Sequence, residues 1–431
     1  LFTVSSDFLI VGGGIGGLVL AELLGRGGKR VVVLERSTGP PPWNRPELLW
    51  PATIELLSSL VPVSRWREQA AVPLAGMKVA LPTRGRESIA AEIQHHGQSS
   101  SQLSPDPLAP AGSDHFVWGI SPDLLAEIGV HPWSTDPNQS RELLMTLGSF
   151  ELHRGVEVQS ILQEKGRVVG ARTRDVAGGK ERDWLAELTV GDDGAHSLVR
   201  AACGIDLRTR IFPRDLLCFQ CDWPALLQAD AGHVWPNRVQ PRSGILAIGI
   251  LPVPGGRGVG VAPIRPDLAG DEANARKAWN ALVQSNSVLA SIVGDHRYPE
   301  DVQRVRRPWG HASRYGAPGG LIMGDAAHPV SPAGGQGANM SVADGRAIAE
   351  LVLAGAKYAR HSDLLAAYER IRRGANRRSL RFTRGAAFAL GLPDWLLPTP
   401  LLFTLVGLFG RRRWLLSQFV RFAATAFVTR Q

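Results

Sequence analysis

Phe8-Leu9-Ile10-Val11-Gly12-Gly13-Gly14-Ile15-Gly16-Gly17 is the stretch that decides the fold. Its first four residues are an unbroken apolar run, the pattern of a strand buried on both faces of a parallel sheet. Gly12 permits a tight turn, Gly14 lets backbone approach a pyrophosphate, and Gly17 lets the next helix pack close to the strand. Leu18, Ala21 and Leu24 give that helix its apolar face. Its first N–H groups and positive dipole end suit a phosphate. A second apolar strand, Val31-Val32-Val33-Leu34, ends at Glu35 and Arg36. An acid about 20 positions beyond such glycines is placed to hold a ribose hydroxyl. The spacing therefore predicts a dinucleotide-binding βαβ unit.

Two later stretches close strands in the same manner. Leu188-Thr189-Val190 leads into Gly191-Asp192-Asp193-Gly194, and Leu198, Val199 and Ala202 then form a short helix ended by Gly204. That places Asp193 at a strand-to-helix corner beside the nucleotide crevice, although an Asp-Gly alone reads equally as an ordinary turn. Leu321-Ile322-Met323 is a further buried strand, ended by Gly324-Asp325 and followed by a loop running from Ala326 to Asn339. A carboxylate at Asp325 can accept hydrogen bonds from polyol hydroxyls. The glycine-rich turn before the helix through Ala343, Ala347, Ile348 and Leu351 offers N–H groups and a positive end. Such a turn stabilises negative charge, and a reduced flavin becomes anionic at its pyrimidine ring.

At 431 residues the chain is too long for one small core. Its 44% hydrophobic and 20% charged content are those of a globular α/β protein. Residues 1–75, 140–205 and 304–355 read as a Rossmann-like dinucleotide-binding domain in three parts. Residues 76–139 and 206–303 read as a discontinuous β-sheet substrate domain, and 356–431 as a C-terminal helical region. Ser, Gln, Pro, Gly and His dominate from Glu92 to Asp114, which reads as an exposed insertion. Ser140 is the expected cap of a helix starting at Arg141, and a helix is expected from Thr53 to Leu60.

Cys203, Cys218 and Cys221 form no disulfide framework. Positions 218 and 221 fall in a strand and point to opposite faces, so no metal site is expected. A net charge of +9 is partly local to Arg373, Arg377, Arg381 and Arg384, which recur at helical spacing. A solvated helix face is the plain reading; an acidic membrane surface competes with it, and nucleic acid is not expected without a binding motif. The nucleotide strand begins so near Leu1 that no secretory signal is expected, and reduced cysteines suit a cytoplasmic protein.

With these three motifs in this order, the chain resembles the single-component flavoprotein monooxygenases of the para-hydroxybenzoate hydroxylase type. The resemblance covers residues 1–75 and 140–380, and implies that the three-part Rossmann-like domain is an FAD-binding domain of the GR2 type. It implies that Gly12, Gly14, Gly17 and Glu35 cradle FAD, with Arg36 beside them. It also implies that Asp193 and Gly194 serve both FAD and a nicotinamide nucleotide. Gly324 and Asp325 would hold the ribityl chain, Pro332 would lie beside the isoalloxazine, and Gly335, Gln336, Gly337 and Asn339 beneath it. Arg45 and Arg141 lie where the family often has polar FAD contacts, though each reads equally as a surface cation.

The implied chemistry is reduction of non-covalent FAD by NADH or NADPH, reaction with O₂ to a C4a-hydroperoxide, and hydroxylation of an aromatic, polycyclic or otherwise lipophilic small molecule. No catalytic side chain is assigned; His328 reads as structural. Halogenases of the same superfamily carry Trp-x-Trp-x-Ile-Pro, and none of the 12 tryptophans here is followed by another two positions later. That counts against halogenation, which stays among the alternatives with a reductase acting on isoprenoid lipids and a flavin-binding protein without turnover. The apolar stretch from Leu396 to Phe409, followed by Arg411-Arg412-Arg413, is too broken by proline to span a bilayer. Packing on the FAD domain is its plain reading, and peripheral membrane contact the functional one.

Overall fold

A computed structural model describes residues 3–41, 45–80, 116–225, 227–236, 244–284, 287–294, 301–332, 334–355, 361–391, 408 and 412–429. The strand Thr3–Val11 pairs in parallel with Glu181–Gly191 on one side and Val31–Glu35 on the other. Glu181–Gly191 pairs in parallel with Gly320–Ile322, and Val31–Glu35 with Glu151–Arg154. The register sets Val11 beside both Gly191 and Leu34, and Gly191 beside Ile322. Three segments far apart in sequence therefore leave the sheet at one edge. Ligands of doubly wound folds bind in the crevice outside such carboxyl ends.

Helices Ile15–Arg26 and Gly337–Leu353 lie together on this sheet and approach through small residues. A Cβ on Gly345 would come within 2.6 Å of the Gly16 carbonyl oxygen. Leu9, Ile10, Leu18, Ala21, Leu24 and Val33 are fully buried, as expected of strands covered on both faces.

A second, seven-stranded sheet runs in the order Val302–Val305, Asp215–Asp222, Arg257–Ile264, Ala247–Val253, Ala231–Pro236, Gly76–Ala80, Phe116–Ile120. Its neighbours are antiparallel except Ala231–Pro236 with Gly76–Ala80. The period of two sorts its side chains. Leu217, Phe219 and Cys221 pack under helices Glu272–Gln284 and Ser287–Val293, while Leu216 and Cys218 face a cavity. The two cysteines thus lie on opposite faces, as the strand reading requires. The helices over residues 272–293 were not foreseen among the expected strands. Ala275, Ala278, Trp279 and Leu282 supply the helical stripe that covers the sheet.

Two helix starts differ from expectation. The helix beside Arg141 is Pro137–Met145, and Asp136, not Ser140, caps it, accepting from the N–H groups of Asn138 and Gln139 at 2.9 and 3.0 Å. The helix expected from Thr53 runs Pro51–Leu60. In both cases proline occupies the first turn, where its missing N–H forfeits no bond.

The long helix His361–Gly391 exposes Arg377, Arg381 and Arg384, while Arg373 pairs with Glu369 at 2.8 Å. The helix Arg413–Thr425 buries Leu416, Val420 and Ala424 against Trp50, Val330, Met340 and Leu380. Glu92–Asp114 and, apart from Leu408, Leu396–Phe409 lie outside the described residues. Among the described residues no helix is long and apolar enough to cross a membrane.

Candidate active site

The glycine loop leaves no space for side chains. Gly12 has φ +100°, and a Cβ there would strike the Asp192 carbonyl oxygen. One on Gly14 would strike the Asp192 carboxylate. Asp192, rather than Asp193, therefore fills the space inside the loop: its Oδ2 accepts from the Gly17 N–H at 2.8 Å, and its Oδ1 from Ser341 at 3.4 Å. Burial, aided by the nearby Asp325 and Asp193, pushes its carboxyl up to about 8. Asp193 turns the other way, accepting from the N–H groups of Leu198 and Val199 at 2.7 and 3.2 Å, and so caps the short helix. Neighbouring residues in an extended chain point to opposite sides, which separates the two roles. Gly194 lines the cavity with Asp192.

Glu35 accepts from the Gly13 N–H at 2.8 Å and from the N–H and hydroxyl of Ser37. Arg141 braces the same corner, donating to Glu35 at 2.9 Å and to the Gly13 carbonyl at 2.6 Å. Burial alone would raise the Glu35 carboxyl; Ser37, Arg141 and Gly13 outweigh it and hold it below its usual range. Arg36 points outward and sits 3.7 Å from Glu157 in an exposed pair.

Gly324 (φ +53°) and Asp325 form a single tight turn, and Arg307 donates to Asp325 at 2.9 Å. Helix Gly337–Leu353 starts without a side-chain cap, as does helix Ile15–Arg26. Both uncapped ends border one cavity of about 560 Å³, through Gly14 and Ile15 at one place and Gln336 and Gly337 at another. Pro332 and Gly335 line it too. The Gln336 amide donates to the carbonyls of Gly334 and Ala423, each at 3.0 Å, and its own buried oxygen is without a partner. Asn339 stands behind this wall. It donates to the Leu48 and Gly335 carbonyls at 2.8 and 2.7 Å and accepts from the Trp50 N–H at 2.9 Å, tying the two loops together.

Opposite lies the second sheet, through Met77, Leu216, Cys218, His233, Leu251 and Val261. Burial drives His233 down to about 4 and Cys218 up to about 11, so both are uncharged at neutral pH. The other ionisable residues of the cavity sit at its junction: Arg45, Glu47, Arg307 and Asp325, with Asp192 in the glycine loop. Burial lowers the Arg45 guanidinium and raises the Glu47 carboxyl, since removal from water disfavours the charged form of each.

Sequence reading missed a buried network behind the Gly324 turn. Asp344 accepts from the Gly324 N–H at 3.2 Å, from Arg372 at 2.7 Å and from Asn376 at 3.2 Å, and it meets His328. Burial opposes its charge, but His328 and Arg372 hold the carboxyl well below the usual range. His328 is thereby a structural partner, walled from solvent. Among the described residues no group of three His, Cys, Asp or Glu could hold a metal ion.

The glycine cradle, the two uncapped helix ends and the orphaned Gln336 oxygen fit an extended, diphosphate-bearing cofactor with a ring system that gains negative charge. Comparison with known proteins agrees. The FAD binding domain family matches residues 5–383. 6-Methylpretetramide 4-monooxygenase of Streptomyces rimosus is 28% identical over 357 residues, covering 79% of this chain and 73% of that one. Aklavinone 12-hydroxylase of Streptomyces peucetius is 25% identical over 365 residues, covering 79% and 65%. Squalene epoxidase 1 of Arabidopsis thaliana is 25% identical over 357 residues, covering 79% and 58%. The matches thus span about three-fifths to three-quarters of these relatives. In fold, p-nitrophenol 4-monooxygenase of Pseudomonas putida superposes with a TM-score of 0.75 at 19% identity over 100% of both chains. With its motifs set along one sheet edge and a family match over most of its length, the chain belongs to the FAD-dependent flavoprotein monooxygenases of the para-hydroxybenzoate hydroxylase type.

Proposed function

We propose that this chain hydroxylates an aromatic, polycyclic or otherwise lipophilic small molecule, taking electrons from NADH or NADPH and oxygen from O₂. One observation carries the reading: a single cavity joins two uncapped helix N-termini to an uncharged sheet wall. FAD, when bound, supplies the redox and oxygen-activating chemistry. Gly12, Gly14 and Gly17 hold its diphosphate and Glu35 a ribose hydroxyl, with Arg141 bracing that corner and Arg45 nearby. Asp325 accepts from the ribityl hydroxyls, with Arg307 as the cation beside it. Pro332 and the Gly335–Gly337 turn present the helix end to the ring that becomes anionic. Asp193 and Asn339 act through the backbone they fasten, and Arg36 lies on the rim.

The sheet wall excludes water and receives the substrate by shape. Neutral His233 and Cys218 add no charge there, so an apolar ring system is favoured over a solvated anion. The relatives 6-methylpretetramide 4-monooxygenase and aklavinone 12-hydroxylase support an aromatic small-molecule substrate. The test is a visible spectrum of the purified protein, followed by NAD(P)H oxidation against phenols and fused-ring phenols, with product mass. A bound-flavin spectrum and a product heavier by one oxygen are expected. Bound flavin without turnover on any compound would remove the hydroxylase reading.

A further inference from the structure

The family match ends at residue 383, yet the cavity has a wall beyond it. Helix Arg413–Thr425 contributes Phe419 and Ala423 to the lining. Phe419 is 43% exposed and packs on Phe382, with ring centroids 5.4 Å apart; Phe422 joins the same ring at 5.3 Å. Phe382 in turn lies over Gly334, where a Cβ would come within 2.7 Å of its ring. Ala423 is buried, and its carbonyl accepts from the Gln336 amide at 3.0 Å. The helix is therefore fastened to the same turn that faces the cofactor.

A second fastening lies below. Arg372, fully buried, donates to Asp344 at 2.7 Å, to the Phe427 carbonyl at 2.8 Å and to the Thr429 hydroxyl at 3.2 Å. Asp344 also accepts from the Gly324 N–H, so one guanidinium links the Gly324–Asp325 turn to the end of the chain. Arg378 adds a bond to the Val428 carbonyl at 2.6 Å. A segment held by this many charged donors keeps a fixed position, as a wall must if it is to measure a ligand.

We propose that helix Arg413–Thr425 is a specificity element of the reaction cavity. In it Phe419 contacts the bound aromatic, Ala423 sets the room left for it, and Arg372 is the positioning residue that holds both. This rests on the cavity being the aromatic substrate site proposed above. The probes are 1-naphthol and 1,8-dihydroxyanthraquinone, titrated into the FAD-loaded protein by equilibrium dialysis, a readout independent of turnover. Ala423→Leu is expected to weaken the three-ring probe at least about tenfold and leave the two-ring probe within about threefold, since added volume excludes the larger ligand first. Phe419→Ala, at a half-exposed position that tolerates truncation, is expected to weaken both by about threefold to tenfold, the worth of one ring–ring contact. Arg372→Lys loses the forked geometry. It is expected to weaken both probes and to raise amide exchange over residues 413–429 while strand Thr3–Val11 stays protected. Wild-type binding with unchanged constants in Phe419→Ala and Ala423→Leu overturns the proposal and leaves the hydroxylase reading standing. Bound FAD with neither probe retained by the wild type overturns both.

Discussion

The two walls of the cavity are made in opposite ways. The cofactor-facing wall is backbone: glycines that admit no Cβ, two helix ends and carboxylates locked into N–H groups. The sheet wall is side chain: Leu216, Cys218, Leu251 and Val261 project from a ladder that would form with many other residues. A wall of backbone fixes one ligand and tolerates almost no substitution. A wall of side chains can be resurfaced without disturbing the fold, which suits a family whose members share a cofactor and differ in substrate.

That contrast can be broken experimentally. Gly14→Val should abolish FAD retention, a loss of at least about 100-fold, because its side chain would enter the Asp192 carboxylate; flavin absorbance after gel filtration reads it. Asp344→Ala should lower stability by about 3–5 kcal/mol, since it strands the buried Arg372 charge; a denaturant titration measures this.

Asp192 and Glu35 should give pH slopes of opposite sign in the FAD-free protein. The raised carboxyl of Asp192 contributes stability below its ordinary value of 3.8 that is lost as pH climbs towards about 8. Asp192→Asn should flatten this decline. Glu35, held low, contributes above its ordinary value of 4.5 and loses that contribution as pH falls through its folded value. Melting temperatures across pH 3 to 9 separate the two, and a flat Asp192→Asn minus wild-type difference would contradict the assignment. Leu251→Met, on the sheet wall, should cost less than about 1.5 kcal/mol and leave FAD affinity unchanged while shifting ligand preference. If it released FAD, the division between the two walls would fail.

The parts of this molecule legible in sequence were those with a local signature. The apolar run before Gly12, the acid after Leu34 and the strand before Gly324 each announce themselves within a dozen residues. Choosing between Asp192 and Asp193 was not local. It depends on which side of an extended strand faces a loop far earlier in the chain, and that follows only from the register of Val11 with Gly191. Arg372 was hidden for a related reason. It sits in an arginine-rich stretch whose neighbours are solvated, and only its fully buried partner Asp344, on another helix, reveals it. The helix starts at Pro137, capped by Asp136, and at Pro51 were readable in principle from the proline at the first helical turn.

The register at the sheet centre also bears on how the chain is made. Strand Thr3–Val11 is made well before its neighbour Glu181–Gly191, and Gly320–Ile322 comes later still. Until then an apolar strand waits with an unsatisfied edge, while local hairpins of the second sheet form sooner. The crevice at this sheet edge therefore cannot be complete until Gly320–Ile322 has been made, and free FAD cannot template it before then. Refolding from denaturant should accordingly show sheet formation ahead of flavin capture, with aggregation competing in between.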